Sequence, residues 1–153
     1  MLDLDNPSIT EIVDALAQLP GKSVPSKGEV ETAVGTRLVE DGENEFFTFM
    51  KSAADSASWI GALEWRAKRD GSAAILIFHV REGASVRGHW ADLVSVFNSE
   101  PEHLVDPPPL AGSSSQAQRH VLRWRRECQV FMFTFSLNQG RLLDASVEWI
   151  RSM

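Results

Sequence analysis

Apolar residues at Ile9, Ile12, Val13 and Leu16 recur at helical spacing, with Asp14 and Gln18 on the opposite side, and predict a helix from about Ser8 to Leu19. Ser8 followed three residues later by Glu11 is a capping-box signature, and Pro20-Gly21 ends the segment. Ser26 and Glu29 repeat the signature ahead of Val30, Ala33 and Val34. A short second helix is expected there, stopped at Gly35, where a left-handed residue is needed.

The period then changes to two. Thr36 to Glu40 reads as a strand, Asp41-Gly42-Glu43-Asn44 as a turn, and Glu45 to Lys51 as a returning strand. The small polar run 52–58 suits a loop. From Trp59 to Lys68 the chain alternates, with Leu63, Trp65 and Ala67 on one side and Glu64, Arg66 and Lys68 on the other. Asp70-Gly71 supplies a hairpin turn, and Ala73 to Arg81 returns with Ile75, Leu76, Ile77 and Phe78, apolar on both faces, as a central strand does.

Val86, Trp90, Leu93, Val94 and Phe97 predict a third helix closing near Asn98, its first turn weakened by Gly88 by about 1 kcal/mol relative to alanine. Residues 99–118 contain Pro101, Pro107-Pro108-Pro109, Gly112 and three consecutive serines, and are expected to form a flexible loop. His120 to Arg126 and Gln129 to Leu137 are strands, the second placing Phe131, Phe133, Phe135 and Leu137 on one face. Arg141 to Ile150 fits both periods; the preceding turn at Asn138-Gln139-Gly140 favours a strand. The pattern predicts a single α+β domain over 1–153, with a mostly antiparallel sheet of six or seven strands, two N-terminal helices and one central helix.

At 153 residues, with 43% hydrophobic and 24% charged residues, the chain has the composition of an ordinary globular domain. No window approaches the ~18 consecutive apolar residues of a spanning helix, and the amino end lacks a basic and apolar leader pattern. With a lone Cys128 besides, the expected location is cytoplasmic, with no membrane partner. The net charge of −6 is uneven. Residues 1–50 hold ten acids against three bases, whereas the remaining two thirds are close to balanced. An acidic exterior steers toward cationic partners and away from phosphate.

Phosphate-binding loops, GxGxxG, GxSxG and HExxH motifs are missing from the sequence, and the single cysteine excludes a thiolate zinc site. The four histidines, His79, His89, His103 and His120, are scattered, so neither a metal site nor a cofactor is expected. His79 shares its strand face with Ile75 and Ile77. In the correct hairpin register it would meet Glu64, so His79, Glu64 and Arg66 are the residues an enzyme would use. Arg119, His120, Arg123, Trp124, Arg125 and Arg126 form a basic run interleaved with an aromatic, but alternation divides it between faces. Its arginines are expected to pair with Glu64, Glu127 or Glu148. Glu40, Asp41, Glu43 and Glu45 place four carboxylates within six residues around a turn, an exposed surface suited to a basic protein partner.

This profile of a small, acidic, α+β chain without a catalytic constellation is similar to bacterial toxin-immunity proteins and secretion-effector chaperones. The resemblance is one of type. It implies a non-catalytic protein-binding module that masks or holds a basic protein, as an inhibitor or, in the chaperone case, as a homodimer. Two alternatives stand beside it. One is a small-molecule-binding or hydrolytic domain with a site between helices and sheet; the other is nucleic-acid binding through Arg123–Arg126.

Overall fold

The computed structural model describes residues 7–52, 62–80, 86–105, 119–136 and 140–150. Helix α1 spans Ile9–Ala17, and the Ser8 hydroxyl accepts from the Glu11 backbone N–H at 3.1 Å. The Glu11 carboxylate turns outward to Arg87, 3.1 Å away, so only half of the expected box forms. Helix α2, Lys27–Val34, has the full box: Ser26 Oγ caps the Glu29 N–H and the Glu29 carboxylate accepts from the Ser26 N–H. Gly35 ends it at φ +72°, a left-handed conformation that costs glycine little.

Eight strands follow, one or two more than the pattern predicts: β1 Leu38–Glu43, β2 Phe47–Ser52, β3 Ala62–Lys68, β4 Ala73–His79, β5 Glu102–Val105, β6 Arg119–Arg126, β7 Gln129–Ser136 and β8 Leu142–Ile150. Helix α3, Trp90–Phe97, lies between β4 and β5. All pairings are antiparallel, in the order β1-β2-β3-β4-β8-β7-β6-β5. Two four-stranded meanders are therefore joined where β8 pairs with β4, which places β8 in the middle of the sheet.

Three expectations are corrected. The extra strand, β5, falls inside the expected loop 99–118, because four residues suffice to pair Glu102–Val105 with Arg123–His120. The triproline run lies outside the described residues. The turn expected at Asp41–Asn44 comes later: Gly42 at φ +116° lets the chain bulge and continue to Glu43, and Asn44 makes the reversal instead. Gly88 lies before α3 rather than in its first turn, and the helix begins four residues after Val86.

All three helices cover one face of the sheet. Beneath them pack Leu63, Trp65, Leu76, Phe78, Leu122, Phe133, Val147 and Trp149, each at most 4% exposed. Phe97 of α3 stacks on Trp124 with ring centroids 4.6 Å apart and meets Phe131 edge-on at 5.1 Å. Three of the five tryptophans (Trp65, Trp124 and Trp149) are core anchors, while Trp59 lies outside the described residues.

Candidate functional site

The hairpin β3–β4 sets Ala62 opposite His79 and Glu64 opposite Ile77, so Glu64 lies diagonally from His79 on the outward face. Glu64 Oε1 is 3.2 Å from His79 Nε2, and Arg66 donates to Glu64 Oε2 at 2.7 Å. Imidazole, carboxylate and guanidinium do converge. They do so on the face away from the helices, which corrects the expected position between helices and sheet: that layer is filled by apolar side chains. The side chains are half-exposed, 43% for His79, 33% for Glu64 and 46% for Arg66, although the His79 Nε2 atom itself is shielded from solvent. His79 Nε2 makes no hydrogen bond, so its contact with Glu64 is an ion pair only when the ring is protonated. Beside them a shallow trough of about 520 Å³ is lined by Phe47, Phe49, Ile75, Arg66, Lys68 and Glu148.

The acidic residues gather at the nearer edge of the sheet, on edge strand β1 and its turn, with Asp41 close to Glu64 and Arg66. Asp41 pairs with Lys51 at 3.2 Å and Glu43 with Arg69 at 2.7 Å. Glu40 and Glu45 are exposed and have no ion-pair partner among the described residues. Asn44 Oδ1 accepts from the N–H groups of both Phe46 and Phe47 at 2.8 Å, and the Asn44 N–H returns to the Phe47 carbonyl at 2.9 Å. The Arg69 N–H holds the Phe46 carbonyl at 2.9 Å. The backbone of Phe46 is thus fixed while its ring stands 62% exposed at the hairpin tip, between carboxylates. Sequence reasoning missed Phe46. The signal was the doublet Phe46-Phe47, since two consecutive aromatics cannot both face the core of a strand.

The basic run divides as alternation requires. Arg123 and Arg125 face outward and share the Glu102 carboxylate at 2.6 and 3.0 Å, rather than the expected Glu64, Glu127 or Glu148. These two hydrogen-bonded guanidiniums hold the Glu102 carboxyl below its usual range. On the other face Arg126 lies 4.7 Å over the Phe97 ring and donates to the Phe97 carbonyl. Trp124 is 3% exposed and already stacked, so its ring has no free face to offer a base.

Two scattered histidines meet in space. Pairing of β5 with β6 brings His103 Nδ1 within 2.9 Å of His120 Nε2, with Trp90 edge-on to both rings. Burial, and then the neighbouring His103, lower the His120 pKa. The contact was invisible in the sequence because β5 reads as loop. No cluster of three or more metal-ligating side chains occurs among the described residues. Cys128 lies half-buried in the β6–β7 turn. No helix among the described residues is long and apolar enough to cross a membrane.

No protein-family model, curated protein or solved structure matches the chain.

Proposed function

We propose that the protein is a non-catalytic binding module, of the inhibitor or effector-chaperone type, which docks a cationic protein through the β1–β2 hairpin. The observation that carries this reading is Phe46. An aromatic ring held out in solvent by a fixed backbone is the kind of side chain favoured at the centre of binding interfaces, where a surrounding polar rim excludes water. Acidic side chains run along β1 into the turn, Glu40, Asp41, Glu43 and Glu45, of which Asp41 and Glu43 pair with Lys51 and Arg69. A complementary partner therefore presents an apolar pocket edged by lysine or arginine. Glu40 and Glu45, without an ion-pair partner among the described residues, supply steering and orientation. Their like charges also oppose edge-to-edge pairing of two copies through β1.

The test compares three baits in native lysate: wild type, Phe46→Ala, and Glu40→Lys with Glu45→Lys. The expected result is a basic protein captured by wild type at low salt, lost from both variants and released by raised salt. Equal capture by all three would refute the hairpin as the docking element.

The competing ligand or hydrolase reading draws on one observation, the convergence of His79, Glu64 and Arg66 beside the Phe47–Phe49 trough. Against it, the three side chains stand half-exposed beside a shallow trough rather than in an enclosed cleft, and among the described residues no nucleophile is bonded to them.

A further inference from the structure

Strand β5 is four residues long and lies at an edge of the sheet, so few backbone hydrogen bonds hold it to β6. Alternation gives it one side-chain clasp on each face. Outward, the Glu102 carboxylate accepts from Arg123 at 2.6 Å and Arg125 at 3.0 Å. Inward, on the helix-covered side, His103 Nδ1 meets His120 Nε2 of β6 at 2.9 Å.

The inner clasp depends on how many protons it carries. A hydrogen bond between two imidazoles needs one N–H and one lone pair. Two neutral rings supply them, and so does a pair with one extra proton, as imidazolium and imidazole. A second proton leaves two N–H groups and two like charges facing each other across 2.9 Å. Nothing packed around the pair offsets this. Trp90 of α3 lies edge-on to both rings, His89 beside it is a further imidazole, and Phe135 of β7 is opposite His120. Asp92 of α3 is engaged by the His89 backbone N–H, while Glu102, Arg119 and Arg123 alternate to the outward face. Neither ring has an ion-pair partner among the described residues.

We propose that the pair is an acid-operated latch: with one extra proton or none it holds β5 against β6, and with two it lets β5 part from β6 and bares the β6 edge. The outward clasp does not follow, because two guanidiniums hold the Glu102 carboxyl below its usual range and keep it ionised in mild acid. Burial, and then His103, lower the His120 pKa, which places the opening step below the ordinary histidine range. The latch stands at the opposite edge of the sheet from the acidic hairpin and does not depend on it.

Hydrogen exchange read by mass spectrometry tests it, on the full chain at about pH 7.5, about 6.0 and about 5.0, with rates corrected for their intrinsic pH dependence. Relative to central strands β4 and β8, the amides of β5 and their partners on β6 are expected to lose protection at least about tenfold, mostly in the lower pH interval. In a His103→Gln, His120→Gln double variant the side-chain amides keep a neutral hydrogen bond, so this loss should vanish although His79 and His89 remain. Protection of β5 unchanged down to the lowest pH would overturn the assignment. So would a loss shared equally by β4 and β8, or the same loss in the double variant.

Discussion

Trp149 donates its indole N–H to the Pro20 carbonyl at 2.8 Å, linking the central strand to the chain reversal after α1. The ring is 1% exposed and meets Trp65 edge-on at 5.8 Å. Sequence position gave no hint of a bond spanning most of the chain, yet it fixes where the first helix ends against the sheet. Replacing Trp149 with Phe keeps most of the apolar volume and leaves that carbonyl with only the long 3.4 Å contact from Gln129. A loss of about 1–3 kcal/mol is expected, seen as a lower midpoint in urea unfolding. An unchanged midpoint would mean the bond adds nothing.

Acid should weaken the fold through His120. Its pKa is lowered in the folded chain, by burial first and then by His103, so the fold prefers the neutral ring. The unfolded chain then takes up the proton more readily. The stability from this group is complete above the ordinary histidine value and is lost as pH falls through it toward the folded value. Facing the ring are His103 from β5, Trp90 from α3 and, opposite on β7, Phe135, with no carboxylate among them to offset the charge. Denaturation midpoints at about pH 7.5 and about pH 5.5 should diverge in wild type and converge in His120→Gln.

Gly88 is held at φ +109°, and a Cβ there would lie 2.8 Å from Ile9 Cγ2 and 3.1 Å from Asp92 Oδ2. Gly42 has a similar φ of +116° but open space around it. Alanine at position 42 pays backbone strain alone, on the order of 1 kcal/mol, whereas at 88 it also collides with buried Ile9 and disturbs the cap of α3. Thermal unfolding should therefore fall further for Gly88→Ala than for Gly42→Ala; the reverse order would contradict this packing.

Phe46→Ala should leave stability within about 0.5 kcal/mol of wild type, because the ring touches mainly solvent while the Asn44 turn is made by other atoms. A drop of several degrees in thermal midpoint would show that the ring packs against the protein and is not held out for a partner.

Much of this architecture was legible from local pattern. Capping serines placed both N-terminal helices. Period-two segments such as Gln129–Ser136 placed the strands, and the hairpin at Asp70-Gly71 gave the register that joins Glu64 to His79. What escaped had nonlocal causes. β5 is four residues long and exists only because β6 offers it an edge. The meeting of His103 with His120 depends on that pairing. Which face the helices cover is equally nonlocal, and it decides that Glu64, Arg66 and His79 stand half-exposed on the outward face. Phe46 was missed because a bulge at Gly42 moves the turn three residues along and puts the ring at its tip.

Site-specific photo-crosslinking in cells tests most directly whether the hairpin tip is the point of contact. With Phe46→p-benzoylphenylalanine, ultraviolet light should produce an adduct with a basic protein, and that adduct should vanish when Glu40 and Glu45 are reversed to lysine. The same photoreactive residue placed at exposed Val96 on α3 serves as reference and should not capture that protein. No adduct at position 46, or one indifferent to the charge of its neighbours, would contradict the account.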